Sequence, residues 1–67
     1  MSGPLQNTIR QWRTEKGLTQ AQLAEAAGVS RKTINTIENA VFTPSTVLAL
    51  KLARVFDCRV EDVFSLA

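Results

Sequence analysis

The chain contains no histidine and no tyrosine, and its one cysteine is Cys58. A single thiol has no partner within the chain, so no disulfide can staple the fold. One cysteine without histidine also leaves no ligand set for a structural zinc, and no metal or cofactor is expected. The same shortages empty the usual catalytic constellations. No imidazole is available as a base, no nucleophile pattern stands out, and no phosphate-cradling loop occurs, so an enzyme is not expected. Apolar runs are too short to span a bilayer. The N-terminus lacks the basic and apolar zones of a signal peptide, and an unpaired cysteine suits a reducing compartment. A cytoplasmic protein is the expectation.

What is present is enough for one domain, expected to occupy all of 1–67. A chain of this size buries only a modest share of its surface. With 45% hydrophobic residues, it must be held by a dense apolar core, a partner subunit, or both. Eight basic and six acidic residues give a net charge of +2, which permits nucleic-acid binding without requiring it. All of that excess precedes Ala40, where Arg10, Arg13, Lys16, Arg31 and Lys32 outnumber Glu15, Glu25 and Glu38.

Hydrophobic spacing and capping residues predict an all-α fold, a compact bundle of five short helices without strands. The first runs from about Gln6 to Lys16 and ends at Gly17. Thr19 and Gln22 form a capping box at the head of the second, whose buried stripe is Leu23, Ala24 and Ala27 and which ends at Gly28. Ser30 caps the third, from Arg31 to about Asn39. Ser45, following Pro44, caps the fourth, from Thr46 to Phe56, which is apolar on nearly every side. A short fifth lies near Val60 to Phe64.

The second and third helices are joined so tightly that they must cross at a large angle. The crossing needs a small residue at the contact, a residue tolerant of positive φ at the corner, and branched apolar anchors on the second helix. Ala24, Gly28, Ile34 and Ile37 meet these needs at positions five, nine, fifteen and eighteen of a unit of twenty that begins at Gln20. The span from Gln20 to Asn39 therefore reads as a helix-turn-helix.

The run Thr19-Gln20-Ala21-Gln22-Leu23-Ala24, then Gly28-Val29-Ser30-Arg31, then Ile34-Asn35-Thr36-Ile37-Glu38-Asn39 resembles the Cro/CI-type regulators, the group of the lambda and 434 repressors. The stretches from Pro44-Ser45 to Ala53 and from Val60 to Phe64 are similar to its small single-domain members. The resemblance implies a five-helix bundle that binds operator DNA as a homodimer and acts as a repressor, with the third helix entering the major groove at two half-sites one DNA turn apart. It implies base contacts from Arg31, Lys32 and Thr36, with Ser30, Thr33 and Asn35 beside them. It implies contact by Gln20 with the DNA backbone or the outer edge of the half-site, a backbone contact at Asn39, and a structural ion pair between Arg13 and Glu38. Chemistry agrees: Arg31 can offer two donors to guanine N7 and O6, and Thr36 can meet a thymine methyl. Outside the motif, Arg31 and Lys32 would read as an ordinary solvated helix face, and Asn39 as a simple helix cap.

Two positions depart from the family pattern. Ala40 stands where glycine usually follows the Glu-Asn pair, and alanine is strained there if φ is positive. Val41 and Phe42 stand where basic residues are common. Trp12 reads as core. Cys58 reads as a small buried hydrophobe, since a redox role needs exposure and a lowered pKa. Apolar residues beyond one core's needs (Val47, Leu50, Val63, Phe64, Leu66) suggest an interface. The expected dimer region is 57–67 with part of 46–56, through Val60, Val63, Phe64 and Leu66. The competing reading keeps the same fold in a protein-interaction or antitoxin-like subunit.

Overall fold

The structure, a computed structural model, describes residues 5–66. Its elements in order are β1 (Leu5–Asn7), α1 (Ile9–Glu15), α2 (Gln20–Ala27), α3 (Arg31–Glu38), α4 (Thr46–Phe56), α5 (Val60–Val63) and β2 (Phe64–Leu66). The five helices are those expected. The strands were not, and they correct the reading of a first helix beginning at Gln6. β1 pairs antiparallel with β2, with Leu5 opposite Leu66, Gln6 opposite Ser65 and Asn7 opposite Phe64. The fifth helix likewise stops at Val63, because Phe64 turns to extended backbone, φ −122° and ψ 140°. The ends of the expected 1–67 domain, and the last residue of its 57–67 interface region, lie outside the described residues.

The side chains of Ile9, Leu23, Ala24, Ala27, Ile34, Ile37, Leu48, Leu52, Phe56 and Val63 close into one buried cluster. Trp12 packs against it, stacked on Phe56 with ring centroids 6.0 Å apart. Its indole N–H donates to the Asp62 carbonyl at 3.2 Å, satisfying the one polar atom that an aromatic at the core edge must place. No helix among the described residues is long and apolar enough to cross a membrane.

Four helices end in the same way. After α1, α2, α3 and α4 the chain takes a residue with positive φ: Gly17 at 70°, Gly28 at 75°, Ala40 at 60° and Asp57 at 57°. At each, the following amide reaches back five residues along the chain: Leu18 N to Arg13 O, Val29 N to Ala24 O, Val41 N to Thr36 O, and Cys58 N to Ala53 O, all 2.9–3.0 Å. This is the Schellman closure, which satisfies carbonyls that the helix end leaves open. The expected strain at Ala40 is therefore present: the alanine Cβ sits in a region that suits glycine.

Caps start the helices as firmly. Thr19 and Gln22 form the full capping box, the Thr19 hydroxyl accepting from Gln22 N at 3.0 Å and the Gln22 side-chain Oε1 from Thr19 N at 2.8 Å. Ser30 Oγ accepts from Thr33 N at 3.2 Å, and Ser45 Oγ from Leu48 N at 3.1 Å. The head of α1 is held differently. Asn7 Oδ1 accepts from Ile9 N at 3.2 Å while its Nδ2 donates to the Ile37 carbonyl at 2.9 Å. One residue thus ties β1 to the start of α1 and the last turn of α3.

Candidate nucleic-acid interface

α2 and α3 are separated by Gly28, Val29 and Ser30 alone. Ala24 and Ala27 of α2 and Ile34 and Ile37 of α3 are buried together. That packing uses one face of α3 and leaves the other outward. Arg31, Lys32 and Asn35 are exposed there, with Thr33 and Thr36 half-buried beside them. Ser30 is exposed at the head of α3 and Asn39 at its foot. The structure thus brings the sequence-predicted residues of α3 onto one face, with Gln20 of α2 alongside.

The only acidic residue of α3 is withdrawn from that face. The Glu38 side chain has 0% exposure. Its carboxylate accepts from Arg13 Nε at 2.7 Å, from the second Arg13 donor at 3.4 Å and from Gln20 Nε2 at 3.1 Å. Arg10 adds a looser ion pair at 3.6 Å. Burial alone pushes the Glu38 pKa up. The hydrogen bonds from Arg13 and Gln20, and the charges of Arg13 and Arg10, outweigh it and hold the carboxyl below its ordinary value. A carboxylate so neutralised adds little negative potential to the surface, while Arg31 and Lys32 are in no ion pair among the described residues. The outer face of α3 is consequently positive, as a polyanion requires.

The ion pair between Arg13 and Glu38 is also a hub. Arg13 donates to the Leu18 carbonyl at 3.1 Å as well, fixing the turn between α1 and α2. Gln20 Nε2 is shared between Glu38 and Asn35 Oδ1, the latter at 3.2 Å, and Gln20 Oε1 accepts from Arg31 at 3.4 Å. A chain of contacts therefore runs from the buried carboxylate through Gln20 to the exposed guanidinium of Arg31. Gln20 is half-buried and holds its neighbours in place.

Other predicted residues have internal duties too. The Ser30 hydroxyl is occupied with the Thr33 amide and hydroxyl. Thr36 Oγ1 donates to the Thr33 carbonyl at 2.9 Å. Asn39 Nδ2 donates to the Asn35 carbonyl at 2.8 Å and to its side chain at 3.2 Å, closing the foot of α3. Sequence reasoning missed two residues. Asn7 anchors the foot of α3. Arg10 shares with Glu38 and Asn39 an open cleft beside it. The signal for Arg10 was its place three residues before Arg13, on the same side of one helix.

The expected dimer residues divide. Leu66 is exposed, and Val60 and Phe64 are half-buried. Val63 is a correction: at 1% exposure it belongs to its own core and offers no surface to a partner. Val47 and Leu50, one turn apart on α4, are exposed. Cys58 is half-buried. Burial and the nearby Asp62 and Asp57 push its thiol up against a smaller opposing effect of Lys16, the reverse of what a reactive thiolate needs.

Comparison with known proteins places the sequence and the fold. Residues 9–63 match the helix-turn-helix family model. An uncharacterised HTH-type transcriptional regulator of Archaeoglobus fulgidus is 45% identical over 60 residues, covering 90% of this chain and 86% of the relative. Among solved structures, the restriction-modification controller protein C.AhdI of Aeromonas hydrophila superposes with a TM-score of 0.76 at 35% identity, over 81% of this chain and 82% of that one. SinR, the master regulator for biofilm formation, solved in complex with DNA, superposes at 0.73 with 37% identity, over 79% of this chain and 86% of that one.

Proposed function

This chain belongs to the helix-turn-helix family of DNA-binding transcriptional regulators, which are not enzymes, and from there we propose that it acts as a cytoplasmic homodimeric repressor. In this reading, α3 lies in the major groove of each half of a short inverted repeat, and bound protein blocks transcription by occupying the site. The observation that carries it is the outer face of α3, where Arg31 and Lys32, in no ion pair among the described residues, project beside polar side chains while Glu38 is buried and neutralised.

The roles follow from the chemistry. An α-helix with its side chains is about 10–12 Å across, a diameter suited to a major groove about 12 Å wide, and α3 offers eight residues to it. Arg31, steadied by Gln20, presents two donors to a guanine edge. Lys32 reaches a guanine or a phosphate, and Thr33, Asn35 and Thr36 face neighbouring bases. Ser30, Gln20 and Asn39 lie at the margins, where the phosphate chains pass, and the first turn of α2 turns backbone amides toward one of them. The partner subunit would cover exposed Val47, Leu50 and Leu66, with Val60 and Phe64 at their edge.

Selection from a randomised duplex pool tests this. Short inverted repeats should be enriched, and log affinity should fall linearly with log salt, by roughly 0.9 per phosphate neutralised. Failure to bind any duplex at low salt would overturn the reading.

A further inference from the structure

The loop after α3 is the part of this surface that the family pattern does not explain. Val41 is 76% exposed and Phe42 51% exposed, beside a helix face that is otherwise polar. Both backbone amides are already used: Val41 N and Phe42 N donate to the same Thr36 carbonyl, at 2.9 and 3.2 Å. The left-handed turn at Ala40 folds the loop back in this way. Residues 41 and 42 can therefore give a phosphate neither a cation nor a backbone N–H. What they offer is apolar side chain, and it is directed at α3: Val41 and Phe42 line one open cleft of about 290 Å³ with Lys32, Thr33 and Thr36. The Thr36 hydroxyl proton is spent on the Thr33 carbonyl, so Thr36 contributes chiefly its methyl.

We infer that Val41 and Phe42, with the Thr36 methyl, form an apolar notch that reads the 5-methyl group of a thymine in the half-site. The thymine methyl is the one apolar feature that distinguishes base pairs in the major groove. The cleft is lined by Lys32, Thr33 and Thr36, which the reading above turns toward the bases, and the Lys32 charge suits the polyanion around that methyl. A protein partner seated in the same cleft would instead cover Lys32 and Thr36. The inference rests on the DNA-binding reading above and adds to it a specificity element outside the recognition helix.

The test uses the full-length protein and duplexes enriched from a randomised thymine-containing pool, resynthesised with uracil replacing thymine one position at a time. Uracil pairs identically and lacks only the methyl. At one thymine per half-site the wild type should lose affinity roughly three- to fivefold, the worth of one buried methyl group. Val41→Ser and Phe42→Ala should bind the thymine and uracil duplexes alike at that position while keeping the preference set by Arg31. Val41→Ser alters a side chain that is largely exposed, so it keeps the test valid even if Phe42→Ala lowers the melting temperature. The inference is overturned if no position responds to uracil. It is equally overturned if both variants respond as the wild type does, which would give the methyl to α3 and free the loop for a protein partner. Failure to enrich any duplex would overturn the DNA-binding reading itself, an outcome distinct from enrichment without a methyl effect.

Discussion

At the scale of single residues, Glu38 does the most with the least exposure. It is the acidic residue of α3, the helix proposed to enter the groove, yet Arg13, Gln20 and Arg10 surround it. Removing one partner of a buried pair strands the other, a loss of about 3 kcal/mol. Arg13→Ala should show such a drop in a denaturant titration. Because the folded carboxyl titrates below its ordinary value of 4.5, its stabilising contribution is complete above that pH and is lost as pH falls through the lowered folded value. Glu38→Gln should therefore be less stable than wild type at neutral pH, and the gap should narrow on acidification. Ala40 predicts the opposite sign. Its φ of 60° costs alanine about 1 kcal/mol relative to glycine, so Ala40→Gly should raise the melting temperature by about 4–8 °C.

At the scale of elements, the chain ends its helices with one device used four times, and only two of the four carry glycine. The turn within the helix-turn-helix is one of these. A Cβ at Gly28 would meet nothing within 4 Å, so Gly28→Ala should cost only the backbone conformation, about 1–2 kcal/mol, measurable as a lower unfolding midpoint. The helices were legible in the sequence because capping residues and apolar spacing agree: Ser45 and Thr46 opened α4, and Thr19 with Gln22 opened α2, as the capping pattern predicted. The strands were not legible. Three residues are too few for a period of two to show, and β1 exists only because β2 lies beside it, a pairing made between residues more than fifty apart in the chain. The site divides in the same way. The side of α3 that would face DNA could be read from which residues its core stripe left over. The network through Gln20 could not, because it depends on side chains from three helices meeting in space. Val63 was misread for a related reason: an apolar residue near the end of the sequence looks surplus until it is seen in one buried cluster with Ile9, Leu52 and Phe56, with Thr8 N bonded to the Val63 carbonyl at 2.8 Å.

At the scale of the whole molecule, a small core leaves Val47, Leu50 and Leu66 in solvent, and the proposed dimer is what would cover them. Leu50→Glu and Leu66→Glu should leave the monomer folded by circular dichroism and shift sedimentation at micromolar concentration toward the single chain. Affinity for an inverted repeat should fall with it, since each half-site would then be bound alone. The direct measurement is of base preference across the half-site for wild type and Arg31→Ala on the same panel of singly substituted duplexes. A recognition helix held as described predicts that Arg31→Ala abolishes discrimination at one base pair, worth about 1–3 kcal/mol, and leaves the other positions ranked as before. A uniform loss of affinity on every duplex, with all preferences intact, would contradict it and reduce Arg31 to a phosphate contact.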